Sequence, residues 1–118
     1  MSGRGRGSRS DAGPGSGPGR HTIVLIQTSQ HLESRTFSDH NSVDEAVGHL
    51  LTYFEERRRE KQGKAEVTYD STELLRWVDG FTDISFLVFD RNLKAYVPFD
   101  RTWIKDKLYL YLQRLQRR

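Results

Sequence analysis

The side chains suited to acid–base or metal chemistry are spread along this sequence without a shared motif. The chain has four histidines, at His21, His31, His40 and His49. Their spacing does not match that of a metal-ligand motif. Two acidic pairs, Asp44-Glu45 and Glu55-Glu56, fall in segments of helical pattern, where solvent exposure and capping account for them without general acid–base catalysis. The sequence contains no cysteine, P-loop or nucleophile elbow. We therefore expect a protein that is not an enzyme and that holds no metal or other cofactor.

Two hydroxyl groups stand three residues before an acid, the spacing that acid-directed kinases prefer. Thr36 precedes Asp39 in this way, and Ser42 precedes Glu45. Both hydroxyls are candidate phosphorylation sites. For Ser42 we favour a capping box, in which the hydroxyl accepts from the N3 amide and the carboxylate accepts from the cap amide. A phosphate on Ser42 would still suit the positive end of a helix.

The excess positive charge lies at the N-terminus. Residues 1–20 are mostly Gly, Ser, Pro and Arg, with four arginines against one aspartate, whereas residues 21–118 carry fifteen basic and fifteen acidic side chains. The net charge of +3 and the pI near 9.4 therefore arise from the N-terminal tail and not from the rest of the chain. This composition predicts a disordered tail at 1–20 and one domain at 21–118. Arg4, Arg6 and Arg9 are candidate RNA contacts, although we favour a solvated tail that aids solubility.

Apolar periodicity divides the domain into four strands and three helices in the order ββααββα. The predicted strands cover 21–27, 35–38, 83–89 and 94–99, and the predicted helices cover 42–60, 69–81 and 100–118. Ser42, Asp70 and Asp100 are the expected N-caps, Gly80 is expected to end the second helix, and Pro98 predicts an edge position for the last strand. Two hairpins and three helices predict an α+β fold, a four-stranded antiparallel sheet with the helices packed on one face.

Both faces of the predicted sheet are apolar, although antiparallel sheets usually keep one face polar. One alternating set of residues suits the face under the helices. The other set predicts a second apolar face, made of Ile23, Leu25, Phe37, Leu87, Phe89 and Tyr96. Such a patch is seldom left in water, so we predict that two copies of the chain pair through it about a two-fold axis. The alternatives are cover by the tail or a helix of the same chain, or by a different protein. A phosphate on Thr36, near this face, is expected to weaken the pairing.

Several segments, in order, resemble the enhancer of rudimentary family. They are HTIVLIQTS, SRTFSDHNSVDEA, VTYDSTELLRWVDGFTDISFLVFD and AYVPFDRTWIKDKLYLYLQRL, and the likeness runs from His21 nearly to the C-terminus. The resemblance implies a four-stranded antiparallel sheet with three helices on one side, dimerising through the sheet with Ile23 and Leu25 on the dimer face. It also implies a small nuclear adaptor without enzymatic activity. The chain departs from the family pattern at its Arg-Gly tail, at the shorter loop KQGKAE and at Arg76-Trp77, where an acidic–aromatic pair is common.

We expect this chain to be a homodimeric, non-enzymatic adaptor. The resemblance implies partners that are peptide segments of nuclear RNA-processing or transcription proteins. Two alternatives stay open: a transcriptional cofactor linked to the cell cycle and pyrimidine synthesis, and a direct RNA binder that uses the tail. No stretch approaches the roughly 18 to 20 apolar residues of a membrane span, so no membrane association is expected. The expected location is the nucleus, with the cytoplasm also open, and RRREK at 57–61 suits an import patch and a solvated helix end equally.

Overall fold

The structure is a computed structural model that describes residues 20–63 and 68–116. The elements follow the predicted order, with one short 3₁₀ turn at Leu32–Ser34 between the first two strands. The strands are β1 (Thr22–Gln27), β2 (Arg35–His40), β3 (Asp83–Asp90) and β4 (Ala95–Phe99), and the helices are α1 (Val43–Gln62), α2 (Ser71–Asp79) and α3 (Arg101–Gln116). The predicted α+β class and element order are confirmed. The predicted tail at 1–20, with Arg4, Arg6 and Arg9, lies outside the described residues apart from Arg20.

The four strands form one antiparallel sheet in the order β2-β1-β3-β4. β1 and β3 are the central strands and pair with each other, and each also pairs with its hairpin partner. Pro98 lies in β4, which is an edge strand as predicted. The turn between β3 and β4 is closed by Asp90, whose Oδ1 accepts from the amides of Asn92 and Leu93 at 2.8 and 3.0 Å.

The helices cover one face of the sheet. On that face the five strand side chains predicted for the core are buried, together with Thr22: Val24, Ile26, Ile84, Phe86 and Val88. Beneath α1 and α2 the buried set includes Phe54 and Leu74, and Ile104 and Leu108 supply the contact from α3. Burial of a large apolar side chain stabilises the fold by about 1.5–3 kcal/mol, so this layer accounts for the attachment of the helices to the sheet.

The three helix starts are capped by the predicted residues. Asp70 and Glu73 form a complete capping box, and Asp100 Oδ1 accepts from the amide of Trp103 at 3.0 Å. Ser42 caps α1, but the Glu45 carboxylate accepts from the amide of Asn41 rather than from that of Ser42, so the predicted reciprocal box is only half formed.

The helix ends differ in detail from the prediction. α1 continues two residues beyond the predicted end at position 60, and Gly63 terminates it in the left-handed conformation (φ 66°), which a residue without Cβ adopts easily. α2 ends at Asp79, and Gly80 keeps a right-handed conformation (φ −77°). The start of α3 is tied to this end of α2, because the guanidinium of Arg101 donates to the carbonyls of Asp79 and Phe81 at 3.1 and 2.9 Å.

Candidate functional site

The candidate functional site is the sheet face opposite the helices, which we call the open face. Its side chains form four cross-strand rows, since residues of one parity share a face and the register sets their neighbours. From one end to the other the rows are Arg35–Gln27–Asp83, Phe37–Leu25–Ser85, Asp39–Ile23–Leu87–Pro98 and His21–Phe89–Tyr96. All six residues predicted for the second apolar face lie on it, in three adjacent rows.

The apolar side chains of the open face remain in contact with solvent. Phe37 is 74% exposed, Tyr96 is 42% exposed and Leu25 is 37% exposed, while Ile23 and its row neighbour Leu87 are half-buried. Across the sheet, the opposite face is dry beneath the helices. The alternative in which a helix of the same chain covers this second face is therefore wrong for the residues that the structure describes.

The two ends of the open face differ in chemistry. At one end the Tyr96 hydroxyl lies 2.7 Å from His21 Nδ1, and the Tyr96 ring meets the ring of Phe89 edge-on at 5.3 Å. At the other end Arg35 Nε donates to Gln27 Oε1 at 2.9 Å beside a cavity of about 330 Å³. An apolar centre with polar groups at its margin is the usual anatomy of a protein–protein interface.

Sequence reasoning assigned only the large apolar members of the open face, and it left out the polar members of the rows as well as His21 and Pro98. The signal for His21 was present, because His21 has the same strand parity as Ile23 and Leu25. Pro98 likewise has the strand parity of Tyr96, and the register confirms its place by pairing it with Leu87.

Comparison with known proteins shows the family to which the chain belongs. The sequence model of the Enhancer of rudimentary family matches residues 18–118. The chain belongs to the enhancer of rudimentary family. An enhancer of rudimentary homolog of Dictyostelium discoideum is 38% identical over 80% of this chain and 96% of its own length. The corresponding values are 37%, 81% and 89% for a homolog of Arabidopsis thaliana, and 35%, 79% and 90% for the protein enhancer of rudimentary of Drosophila virilis.

In this family member the two candidate phosphorylation sites lie away from the centre of the open face. Thr36 pairs with buried Ile26, so its side chain belongs to the helix-side face of the exposed edge strand. It still lies near the open face, because Thr36 lines the same cavity as Leu25 and Phe37. The Ser42 hydroxyl accepts from the Glu45 amide at 3.0 Å, which is the capping role we favoured. Phosphorylation of either hydroxyl stays a prediction.

Two pairs of titratable side chains among the described residues each contain a group with a shifted pKa. The His40 and His49 rings lie 4.7 Å apart, and Ser38 Oγ is 2.9 Å from His40 Nε2. Burial, followed by the nearby His49, lowers the pKa of His40. Burial and a short hydrogen bond to Glu55 raise the pKa of the Tyr69 phenol above its ordinary value. These pairs join one element to another.

Two kinds of site are absent from residues 20–63 and 68–116. Within these ranges no three histidine, aspartate or glutamate side chains gather closely enough to hold a metal ion. No helix there is long and apolar enough to cross a membrane.

Proposed function

We propose that this chain is a non-enzymatic adaptor that dimerises through the open face and brings segments of two partner proteins together. The observation that carries the proposal is the exposed apolar patch of the open face. Family membership supports the proposal through the adaptor role that the resemblance implies. Nuclear RNA-processing and transcription proteins are the proposed partners, and the nucleus is the proposed location.

The exposed apolar side chains supply a large part of the free energy that a reversible dimer needs. Full burial of a large apolar side chain is worth about 1.5–3 kcal/mol, so covering the exposed parts of Phe37, Tyr96 and Leu25 contributes about 2–5 kcal/mol per copy. A two-fold axis uses this contribution twice. The doubled value is comparable to the lower part of the roughly 4–15 kcal/mol that association costs in lost freedom. The half-buried side chains of the open face must therefore supply the rest of the stabilising free energy. Because the balance is small, we expect the dimer to dissociate on dilution.

Dimerisation gives the adaptor a mechanism. Two identical copies carry two equivalent partner sites, and a second partner held by the same dimer acts at a high effective concentration. If each partner binds RNA, the pair binds RNA more tightly than either one alone. The adaptor itself then needs no contact with RNA.

The test is light scattering across a concentration series with three proteins. They are the wild type, the double variant Ile23→Arg with Leu25→Arg, and the control Leu93→Arg. Leu93 lies in the β3–β4 turn and is 66% exposed, so its replacement adds the same side chain away from the open face. We expect dimers for the wild type and the control and monomers for the double variant. A wild type that stays monomeric at every concentration refutes the proposal.

Partner binding is tested with the same three proteins. Each is used to capture nuclear extract, and the recovered proteins are identified by mass spectrometry. Recovery of RNA-processing factors by the wild type and the control, with reduced recovery by the double variant, is the expected result. Equal recovery by the double variant would show that partner binding does not need the dimer.

A further inference from the structure

A second surface lies between the C-terminal half of α1 and the helix α2. These two helices enclose a cavity of about 430 Å³, which we call the α1–α2 cleft. Its volume falls within the roughly 300–1,000 Å³ range of ligand pockets. The cleft involves none of the residues of the open face, so it remains available when two open faces meet.

The floor of the cleft is aromatic. It is formed by Phe54, which is 2% exposed, and by half-buried Trp77, whose ring centroid lies 5.1 Å from that of Phe54. Trp77 is held in turn by the rings of Tyr53 and Phe81 at 5.5 and 4.7 Å. This packing fixes an apolar base against which an apolar side chain can rest at little entropic cost.

One acidic residue of the cleft is fully engaged by the protein. Glu73 Oε2 accepts from Arg58 Nη2 at 2.8 Å, and Oε1 accepts from the amide of Asp70 at 3.0 Å. Arg58 also donates to the carbonyl of Thr68, and its Nε is a buried donor without a hydrogen-bond partner in the described structure. The charge of Glu73 is therefore compensated and does not repel a second anion.

The rim of the cleft carries excess positive charge. Arg57 and Lys61 border it on α1, and Arg76 borders it on α2. The remaining acid, Glu60, lies 4.0 Å from Arg57 in a pair that is largely exposed, and such pairs are worth little. Lys61 and Arg76 form no ion pair with another described residue, which leaves their charges available to a ligand.

We infer that the α1–α2 cleft binds an acidic segment of a partner protein. Carboxylates of the segment meet Arg57, Lys61 and Arg76, and an apolar side chain rests on the aromatic floor. This inference deepens the proposed adaptor function and rests on it for its biological meaning. The chain's own tail does not fit, because residues 1–20 carry a net positive charge. A nucleic-acid base would find only half-buried Trp77 to stack on, because Phe54 is 2% exposed, so RNA binding is a separate outcome of the experiment.

The experiment measures peptide binding by fluorescence anisotropy with the full chain. The probe is a fluorescein-labelled peptide in which glutamates alternate with leucine and phenylalanine, and its twin has glutamine in place of every glutamate. The variants are Arg76→Glu and the matched control Lys94→Glu, which makes the same charge change in the exposed β3–β4 turn. Loss of one charge-assisted hydrogen bond predicts binding about tenfold weaker or more for Arg76→Glu.

Three results together support the inference: salt-sensitive binding of the acidic peptide, at least tenfold weaker binding of its twin, and a loss of affinity in Arg76→Glu that Lys94→Glu does not share. Equal affinity for both peptides, or an equal effect of both variants, overturns it. Binding of a single-stranded RNA that is lost in Arg76→Glu, with no binding of the acidic peptide, overturns it in favour of a nucleic-acid site. Light scattering reports the dimer separately, so a failure of the proposed dimer is distinguishable from a failure of the cleft.

Discussion

Replacing Phe37 with alanine is the sharpest test of the open face, because Phe37 is its most exposed large apolar side chain. With 74% of the residue exposed in one copy, the apolar area left to bury is worth about 1–2 kcal/mol at the usual value for a large side chain. The change occurs in both copies of a symmetric dimer, so the loss doubles to about 2–4 kcal/mol. This loss corresponds to a dimer dissociation constant raised about 30-fold to 1,000-fold.

The fold of each copy should hardly respond to this change. Phe37 lies on an edge strand and contributes little to the core, so we expect the thermal unfolding midpoint of the monomeric form to stay close to that of the wild type. The assay is sedimentation equilibrium over a wide range of concentrations. Leu32→Ala is the matched control, since Leu32 is 64% exposed and lies in the 3₁₀ turn outside the sheet. A dissociation constant that Phe37→Ala leaves within threefold, or that Leu32→Ala raises equally, would refute the reasoning.

Three further predictions concern the caps, the histidine pair and the tail. Asp70→Ala removes the capping box of α2 and should lower the free energy of unfolding by about 1 kcal/mol in urea denaturation. An unchanged free energy of unfolding would show that the capping box does not stabilise the protein. Because the pKa of His40 is lowered from 6.5, the unfolded chain takes up a proton more readily than the folded one, so stability should fall as the pH drops through 6.5. The fall should be smaller in His40→Gln, measured by urea denaturation at several pH values, and an identical fall would contradict this origin. Deletion of residues 1–20 should leave protein partners bound and remove any salt-sensitive RNA binding, and RNA affinity that survives in a filter-binding assay would exclude the tail as its source.

The fold and the open face could be predicted because both follow from local spacing. Strand alternation places Ile84 and Leu87 on opposite faces of the sheet, independently of the other elements. The position of the helices then determines which of the two faces is buried. The cap residues follow from similarly short-range chemistry. The same alternation places the Thr36 side chain on the helix-side face, although Thr36 is adjacent to Phe37 in β2, since neighbouring strand residues point to opposite sides.

The α1–α2 cleft could not be predicted in this way. It depends on the angle at which two helices meet, and that angle is set by the packing of Phe54 against Trp77 from different parts of the sequence. In the sequence, Arg76 stands out only with Trp77, as a departure from the acidic–aromatic pair that is common in the family. Arg76 and Lys61 border the same cleft only because the fold brings α2 against α1.

The position of β1 in the middle of the sheet has a consequence for how the chain is made. β1 and β2 are close in sequence and can form their hairpin early, but Thr22 pairs with Val88, which the ribosome adds much later. Until β3 emerges, the nascent hairpin presents an unpaired strand edge, and such edges recruit other chains during synthesis. Completion of the sheet is therefore a late event in translation. A chaperone that binds the exposed edge of β1 until β3 is made would protect this small protein as it protects larger ones.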